Sequence, residues 1–226
     1  MRMIANLVKQ LFIMAIIMVV TVSAVAKAPQ TVELTGVNTY VFSNEINAVT
    51  TDEFISALIG KRAILDNVDP KATLYIVIVS GGGEYYNAVL MKELIAKVSN
   101  VTLICKYCAS AAGFIFGTTS VPRLAIKKSI VLMHEMYIPK LTANNAKNPA
   151  LLNSLIKDSD AFNLALYSKI GISKEEYEKK IINKEWTLYG EDVVKYKLAD
   201  KLVTIHCDGY VKQLAPDTCS QEETTK

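Results

Sequence analysis

The run of apolar residues at 74–79 constrains the fold of this chain more than any other feature. Its six residues, Leu-Tyr-Ile-Val-Ile-Val, carry no charge, and four of them are β-branched. Such a run is typical of a parallel strand that is buried on both faces of a sheet. Glycines at 81–83 end the run in a turn. We therefore expect a sheet of mostly parallel strands that is covered by flanking helices.

Strand-like and helical patterns alternate along the rest of the chain. Strands are predicted at 38–42, 101–105, 123–126, 130–133 and 202–205. A first helix is predicted to follow a capping box at 50–53, and further helices are predicted at 86–98, 110–118, 149–170, 173–182 and 191–198. Strands that are joined through helices by short loops indicate an α/β fold with right-handed crossovers. The 226 residues show no internal repeat and suffice for one such domain.

The first 26 residues have the pattern of an export signal. Arg2 and Lys9 are basic, residues 11–22 are mostly apolar, and residues 24–26, Ala-Val-Ala, fit a cleavage motif. The apolar stretch is shorter than the ~20 residues that span a bilayer comfortably. We expect residues 1–26 to be a signal peptide and the protein to be periplasmic or secreted. An uncleaved membrane anchor is the alternative.

Export changes the interpretation of the four cysteines, Cys105, Cys108, Cys207 and Cys219. In an oxidising compartment they can form two disulfides in three possible pairings. Cys105 and Cys108 form a C-x-x-C pattern, but this pattern ends a predicted strand and does not open a helix as in thioredoxin-type proteins. We expect structural disulfides or buried thiols here, and neither redox chemistry nor a zinc site.

The balance of charges argues against nucleic acid as a partner. The chain has 25 Lys and Arg against 22 Asp and Glu, a formal net charge of +3. Without the two basic residues of the predicted signal, 23 basic residues face 22 acidic ones. No basic stripe is visible, so the sequence gives no electrostatic reason to expect nucleic-acid binding.

Three features at predicted strand ends could together perform acyl-transfer chemistry. Gly82 belongs to a turn that lets backbone N–H groups approach a ligand, although it lacks the spacing of a dinucleotide site or a P-loop. Ser110 would begin a helix, where free N–H groups stabilise negative charge. His134 follows an apolar strand, and the only other histidine is His206. Taken singly, the glycines fit a tight turn as well as a ligand site, whereas the serine alone favours a helix cap and the histidine alone a packed residue. In this order they fit an oxyanion donor, a nucleophile and a general base.

Four segments match, in order and with compatible spacing, the motifs of one enzyme family. Residues 80–83, Ser-Gly-Gly-Gly, are similar to Ser-Pro-Gly-Gly, and residues 109–113, Ala-Ser-Ala-Ala-Gly, resemble Ala-Ser-Met-Gly. Residues 123–134 resemble the segment from Arg-Phe-Ala-Leu to Met-Ile-His, and residues 196–200 the closing Tyr-Gly-Leu-Ile-Asp. From about residue 41 to residue 203 the chain resembles the proteolytic subunit of Clp protease (ClpP).

The resemblance implies a fold. It is the ClpP/crotonase-like spiral of mostly parallel strands with flanking helices and a protruding handle helix, here at 149–170. The domain would span residues 27–206, followed by a polar C-terminal tail at 207–226.

The resemblance also implies a serine-type peptidase that acts on short or unfolded peptides. Ser110 would be the nucleophile and His134 the general base, and the N–H groups of Gly82 and Ala111 would form the oxyanion hole. No cofactor and no metal are implied. The subunits would assemble into a homo-oligomeric ring, and after export no ATP-driven unfoldase is expected as a partner.

The chain departs from the family at the third catalytic position, an aspartate, where it has Lys184. A lysine has no acceptor with which to hold a histidine in its productive tautomer. Three hypotheses follow: another side chain replaces the aspartate, or Ser110 and Lys184 form a dyad as in the related signal-peptide peptidases, or activity is lost and the protein serves in assembly or binding. The replacements considered are Asn183, Glu185, Asp158 and Asp160. An acyl-CoA enzyme of the crotonase branch is a further alternative, but it would leave Ser110 and His134 without a role.

Overall fold

A computed structural model describes residues 30–136 and 149–219 of the chain. The predicted signal peptide at 1–26 lies outside the described residues, and so does the end of the predicted tail at 220–226. None of the helices in the described part of the chain combines the length and the apolar character needed to cross a membrane.

The described residues form one seven-stranded sheet with helices packed on it, which confirms the predicted α/β fold class. The strands are β1 (Gln30–Leu34), β2 (Thr39–Phe42), β3 (Leu74–Ser80), β4 (Val101–Ala109), β5 (Arg123–His134), β6 (Glu185–Tyr189) and β7 (Lys201–Cys207). Their order is β1-β7-β5-β4-β3-β2, and every pair along it is parallel. Strand β6 lies off this path and pairs antiparallel with β5.

Seven helices connect or flank the strands in the described residues. They are α1 (Ala48–Val68), α2 (Tyr85–Lys97), α3 (Ala111–Thr118), α4 (Pro149–Ile170), α5 (Lys174–Ile181), α6 (Glu191–Lys195) and α7 (Gly209–Leu214). The main core lies between the sheet and the first six helices, with Phe54, Met91 and Phe116 fully buried. A second cluster covers the other face of the sheet around Val77, Ile104 and Val211.

Helix α1 begins earlier than the capping-box pattern at 50–53 predicts. Asn47 is the N-cap: its side chain accepts a hydrogen bond from the Thr50 N–H at 3.0 Å, and Thr50 Oγ1 accepts one from the Asn47 N–H at 3.1 Å. Asparagine and threonine therefore satisfy the orphan donors, and Glu53 has no part in this cap.

Strand β5 is continuous where the sequence predicts two short strands. Its pairing with β4 shifts register, and the exposed Lys127 and Lys128 lie at that irregularity. The buried Ser129 holds the strand together there, because its Oγ accepts from the Ile126 N–H at 2.7 Å and donates to the Cys105 carbonyl. The irregularity matters for the site because β5 ends at His134.

The segment 207–219 is packed, although the sequence suggested a polar tail from residue 207 onward. A disulfide joins Cys207 to Cys219 and encloses α7, whose Val211 is fully buried. The Asp208 carboxylate accepts hydrogen bonds from the N–H groups of Val211 and Gly36, and these bonds lower the pKa of Asp208. Val211 and Cys219 belong to the second cluster, and Ala215 is buried as well. The polar composition of residues 220–226 hid this short packed segment from the sequence analysis.

Candidate active site

Ser110 lies at a sharp turn between β4 and α3. Its backbone has φ 54° and ψ −122°, a conformation that residues other than glycine rarely adopt. The Ser110 N–H donates to the Leu132 carbonyl at 2.9 Å, and the Ser110 carbonyl accepts from the Phe114 N–H at 3.0 Å. A serine held in a strained strand-to-helix turn is the arrangement of the nucleophile elbow.

The Ser110 hydroxyl does not cap the helix. Ser110 occupies the N-cap position of α3, yet its side chain accepts no capping hydrogen bond. Ala111 follows as the first helical residue, and its N–H has no partner among the described residues. The geometry therefore does not support a role of Ser110 as a helix cap. Within the part of the chain that the structure describes, the Ser110 hydroxyl and the Ala111 N–H are both free to take part in chemistry.

Gly82 packs directly against this turn. Its φ is +96°, and a Cβ at this position would lie 2.6 Å from the Ala109 carbonyl oxygen and 2.8 Å from the Ala111 nitrogen. Only glycine fits, because both the backbone conformation and the contact exclude a side chain. The glycine turn after β3 and the Ser110 turn after β4 thus form one unit.

Within the described residues, the hydrogen bonds of the glycine turn leave a different backbone N–H free, that of Gly83, which the sequence analysis did not consider as an oxyanion donor. The Gly82 N–H already donates to Ser80 Oγ at 3.1 Å. The Gly82 carbonyl accepts from the Ile46 N–H, and the Glu84 N–H donates to the Ile46 carbonyl, both at 2.8 Å. These two groups flank Gly83 and face the β2 side of β3. In an extended segment the intervening N–H faces the other side, which here is β4 and Ser110.

Gly83 and Ala111 both line the same pocket as Ser110. The Gly83 N–H, like that of Ala111, has no partner among the described residues. The geometry therefore offers two free N–H groups beside Ser110, from Gly83 and Ala111. Gly82 shapes the turn, and its predicted role as an oxyanion donor stays a prediction.

His134 is the last residue of β5 and is half-buried. Its Nδ1 lies 2.6 Å from the Glu135 carbonyl oxygen. Because a carbonyl oxygen can only accept, Nδ1 is the protonated nitrogen of the neutral ring, and the lone pair of that tautomer lies on Nε2. This is the tautomer that a general base needs.

His134 lies between two cavities. The first, which we call the Ser110 pocket, has a volume of about 380 Å³. It is lined by Glu45, Gly83, Glu84, Tyr85, Tyr86, Ser110, Ala111, His134, Met136, Leu155 and Phe162. The second, the Lys184 cleft, is more open and is lined by His134, Glu135, Met136, Ile181, Asn183, Lys184 and Glu185. One histidine thus borders both the predicted nucleophile and the position where the family has its aspartate.

The Lys184 ammonium group has a backbone carbonyl as its partner. Its Nζ donates to the Lys179 carbonyl at 3.2 Å, near the end of α5. Lys184 lines the cleft with His134 but does not line the Ser110 pocket. A dyad of Ser110 and Lys184 therefore finds no support in this geometry.

Glu185 is the best-placed carboxylate of those considered as replacements. It pairs directly with His134 across the antiparallel ladder of β5 and β6. Residues opposite each other in such a ladder project from the same face, with Cβ atoms about 4.5–5.5 Å apart. Asp158 instead accepts a hydrogen bond from the Tyr86 hydroxyl, and neither Asp158 nor Asp160 lines the cleft.

The cysteines form the two disulfides Cys105–Cys108 and Cys207–Cys219. Both cysteines of the C-x-x-C pattern are buried within β4, and Cys108 lies two residues before Ser110. Across the described residues, no group of three or more His, Cys, Asp or Glu side chains is arranged to hold a metal ion.

Comparison with known proteins assigns a family to this site. The family model of the Clp proteases matches residues 33–206, a span that contains Ser110, His134 and Lys184. No curated protein matches the chain significantly. Because the family match covers most of the sequence, from the first strand to the last, the chain belongs to the Clp protease family.

Proposed function

We propose that this ClpP-like peptidase is a serine-type endopeptidase that hydrolyses short or unfolded peptides outside the cytoplasm. Ser110 is the nucleophile and His134 the general base. One observation supports this most: Ser110, in its strained turn, and His134, in the tautomer of a base, line one pocket. Family membership supports the general peptidase activity.

The proposed reaction begins when His134 Nε2 takes the proton of Ser110 Oγ. The oxygen attacks the peptide carbonyl, and free N–H groups at 83 and 111 stabilise the developing oxyanion. His134 then gives its proton to the leaving amine, and water hydrolyses the acyl-enzyme with His134 again as base. Gly82 keeps the two backbone segments in contact while this happens.

Two groups take over the role of the missing aspartate in this proposal. The Glu135 carbonyl accepts the Nδ1 proton and fixes the tautomer. A neutral carbonyl stabilises the imidazolium less than a carboxylate does, so the charge must come from elsewhere. Glu185, opposite His134 in the β5–β6 ladder, supplies it.

Labelling with a fluorophosphonate tests the proposed function without knowledge of the substrate. The reagent reacts with activated serines, so we expect mass spectrometry of the labelled mature protein to find the adduct on Ser110. The Ser110→Ala protein should remain unlabelled, and a Ser99→Ala protein, altered in an exposed turn, should label normally. A wild-type protein that resists labelling would contradict an activated Ser110.

Replacing Lys184 with aspartate should raise kcat/KM for peptide hydrolysis about tenfold or more. The change removes a cation from the cleft that borders His134 and adds a carboxylate acceptor there. Loss of the corresponding carboxylate costs about 10⁴-fold in other serine proteases. The exposed Glu185 restores only part of that loss because solvent screens its charge, which leaves room for a gain. Initial rates on a fluorogenic peptide measure the effect.

Lys128→Asp is the matched control for that prediction, because it makes the same charge change at an exposed position upstream in β5. It should leave the rate unchanged. A lower rate for Lys184→Asp would show that the lysine itself takes part in catalysis, and the dyad hypothesis would then replace the proposal.

A homo-oligomeric ring is part of the proposal. Helix α4 occupies the place of the family's handle helix, and its Ile156 and Leu164 are 46% and 52% exposed. Large apolar side chains left uncovered on a helix favour a second buried surface. Light scattering at micromolar concentration would contradict assembly if it found a monomer.

Export is proposed from the sequence pattern at residues 1–26. Two disulfides in the described residues fit an oxidising compartment. N-terminal sequencing of protein expressed with its own leader should find Lys27 first, and retention of Met1 in a membrane fraction would argue for an anchor.

Lys184 favours one second candidate, a catalytically weak or inactive assembly or binding protein. The residue places a cation where the family has an acceptor, and Glu185 is exposed to solvent. Failure of both the labelling and the peptide assays would favour this candidate.

A further inference from the structure

We propose that the Ser110 pocket selects peptides with an arginine or lysine side chain on the acyl side of the bond that is cleaved. This inference rests on the proposed peptidase function and adds the substrate class. It comes from two properties of the pocket as its described residues form it: an aromatic wall and an acidic rim.

The wall is an aromatic cluster that suits a long aliphatic stem. Tyr85 and Phe162 line the pocket with ring centroids 5.7 Å apart, and Phe114 stacks behind Phe162 at 5.0 Å. Leu155 and Met136 complete the apolar lining. Burial raises the pKa of Tyr85, so its ring stays uncharged at neutral pH. The methylene stems of arginine and lysine pack well on such rings, and the guanidinium also stacks on aromatic faces.

Among the described residues, the rim carries negative charge only. Glu45 and Glu84 line the pocket and are exposed, and the lining contributed by residues 30–136 and 149–219 holds no lysine or arginine. Neither carboxylate forms an ion pair within the described part of the chain, and Glu84 has only the Asn87 amide as a partner. Both carboxylates are therefore available to a cationic group.

A third carboxylate stands next to the rim. The Tyr86 hydroxyl, which belongs to the pocket lining, donates a hydrogen bond to Asp158 on α4. This bond raises the pKa of Tyr86 and keeps the hydroxyl protonated, so the pair retains the single negative charge of Asp158. The negative charge around the pocket thus comes from three elements: the loop after β2 carries Glu45, the N-cap of α2 is Glu84, and α4 carries Asp158.

These features divide substrates by charge. A cationic side chain buries its stem on the aromatic wall and reaches the rim carboxylates through charge-assisted hydrogen bonds. An uncharged side chain of the same shape gains only the burial, and an acidic one is repelled. Because the carboxylates are exposed, water and salt weaken the attraction, and the preference should be moderate.

The test compares fluorogenic peptides that differ only before the scissile bond, with arginine, its uncharged isostere citrulline, leucine or glutamate. We expect kcat/KM for arginine to exceed that for citrulline about tenfold at low salt, with glutamate slowest, and this ratio to fall as salt rises. In the Glu45→Gln/Glu84→Gln protein, which keeps only Asp158 near the rim, the ratio should fall to about two or less. Glu93→Gln, an exposed change on α2 outside the pocket, should leave it intact.

Equal rates for arginine and citrulline, or a ratio that survives the double substitution, would overturn the selectivity while leaving the peptidase proposal standing. Binding of the same peptides to the Ser110→Ala protein, measured by fluorescence anisotropy, gives a readout that needs no catalysis. If nothing is hydrolysed and Ser110 is not labelled, the peptidase proposal fails, and tighter binding of the arginine peptide decides the pocket's preference on its own.

Discussion

Replacing Gly82 with alanine should lower kcat/KM for peptide hydrolysis at least about 10²-fold and destabilise the protein by about 2–4 kcal/mol. The first cause is the backbone: at φ +96° an alanine is strained whatever the space around it. The second is the contact, since the new Cβ would lie 2.6 Å and 2.8 Å from backbone atoms of Ala109 and Ala111. Neither neighbour is a flexible side-chain end, so the two turns must move apart.

That movement acts where the reaction occurs. The Ala111 N–H is a proposed oxyanion donor, and Ser110 lies between the two clashing residues. Donors to an oxyanion act over a narrow range of distance, and removing one costs roughly 10²–10³-fold in rate. A shift of the Ser110 turn by a few tenths of an ångström also changes the approach of Oγ to His134. The activity loss should therefore exceed what the stability loss alone explains.

Gly81→Ala is the matched control, because nothing lies within 4 Å of a Cβ at that position and its φ is not in the left-handed region. Rates, fluorophosphonate labelling and thermal unfolding of both variants should be measured together at a temperature where both are folded. Full activity of a folded Gly82→Ala protein would show that the contact between the two turns does not position the catalytic groups. Equal losses at 81 and 82 would point to the glycine content of the turn instead.

The strands that carry the site could be predicted from local pattern because their apolar runs are continuous. The run at 74–79 became β3 and the run at 101–105 became the first part of β4, and α4 has the predicted bounds 149–170. Strands β1 and β6 were missed. In β1 only Val32 and Leu34 are buried, and β6 pairs only at the end of β5, so neither carries a strong pattern of its own.

The site residues divide in the same way. Ser110 and His134 each follow a strand that the sequence reveals, so their positions at one sheet edge could be foreseen. The sequence could not show whether Gly82 or Gly83 donates to the oxyanion. That choice depends on the hydrogen bonds of this turn to Ile46, which lies 36 positions before Gly82 and 37 before Gly83, and no local pattern predicts this pairing. The pairing of Glu185 with His134 could not be predicted either, because it depends on the ladder between β5 and β6 and the sequence did not reveal β6.

The second large effect concerns Ser110 and His134 themselves. If they act as one unit, Ser110→Ala, His134→Ala and the double variant should lose hydrolysis to the same degree. In subtilisin the loss of the serine or the histidine costs about as much as the loss of the whole triad, roughly 2 × 10⁶-fold in kcat. Additive losses would mean that the two residues do not act together, and the base would have to be sought elsewhere.

The size of that common loss reports on the third position. In subtilisin the loss of the aspartate alone costs about 3 × 10⁴-fold, which leaves only roughly 10² for serine and histidine to contribute once the carboxylate is gone. If Glu135 and Glu185 replace the aspartate effectively, Ser110→Ala should therefore lower kcat about 10⁵–10⁶-fold. If, with Lys184 at the third position, no group stabilises the His134 imidazolium, Ser110→Ala should lower kcat only about 10²-fold.

Adding Glu185→Gln separates these cases. If the Glu185 carboxylate stabilises the His134 imidazolium, Glu185→Gln alone should lower the rate about 10²-fold or more. Ser110→Ala should then cost less in the Glu185→Gln protein than in the wild type, by the same factor, because both substitutions act through the histidine. His206→Ala, which removes the other, exposed histidine beside Glu33, is the control and should change nothing. An unchanged rate in Glu185→Gln, together with a small loss in Ser110→Ala, would contradict the assigned role of Glu185. The enzyme would then have its nucleophile and its general base, but no negative charge that stabilises the His134 imidazolium.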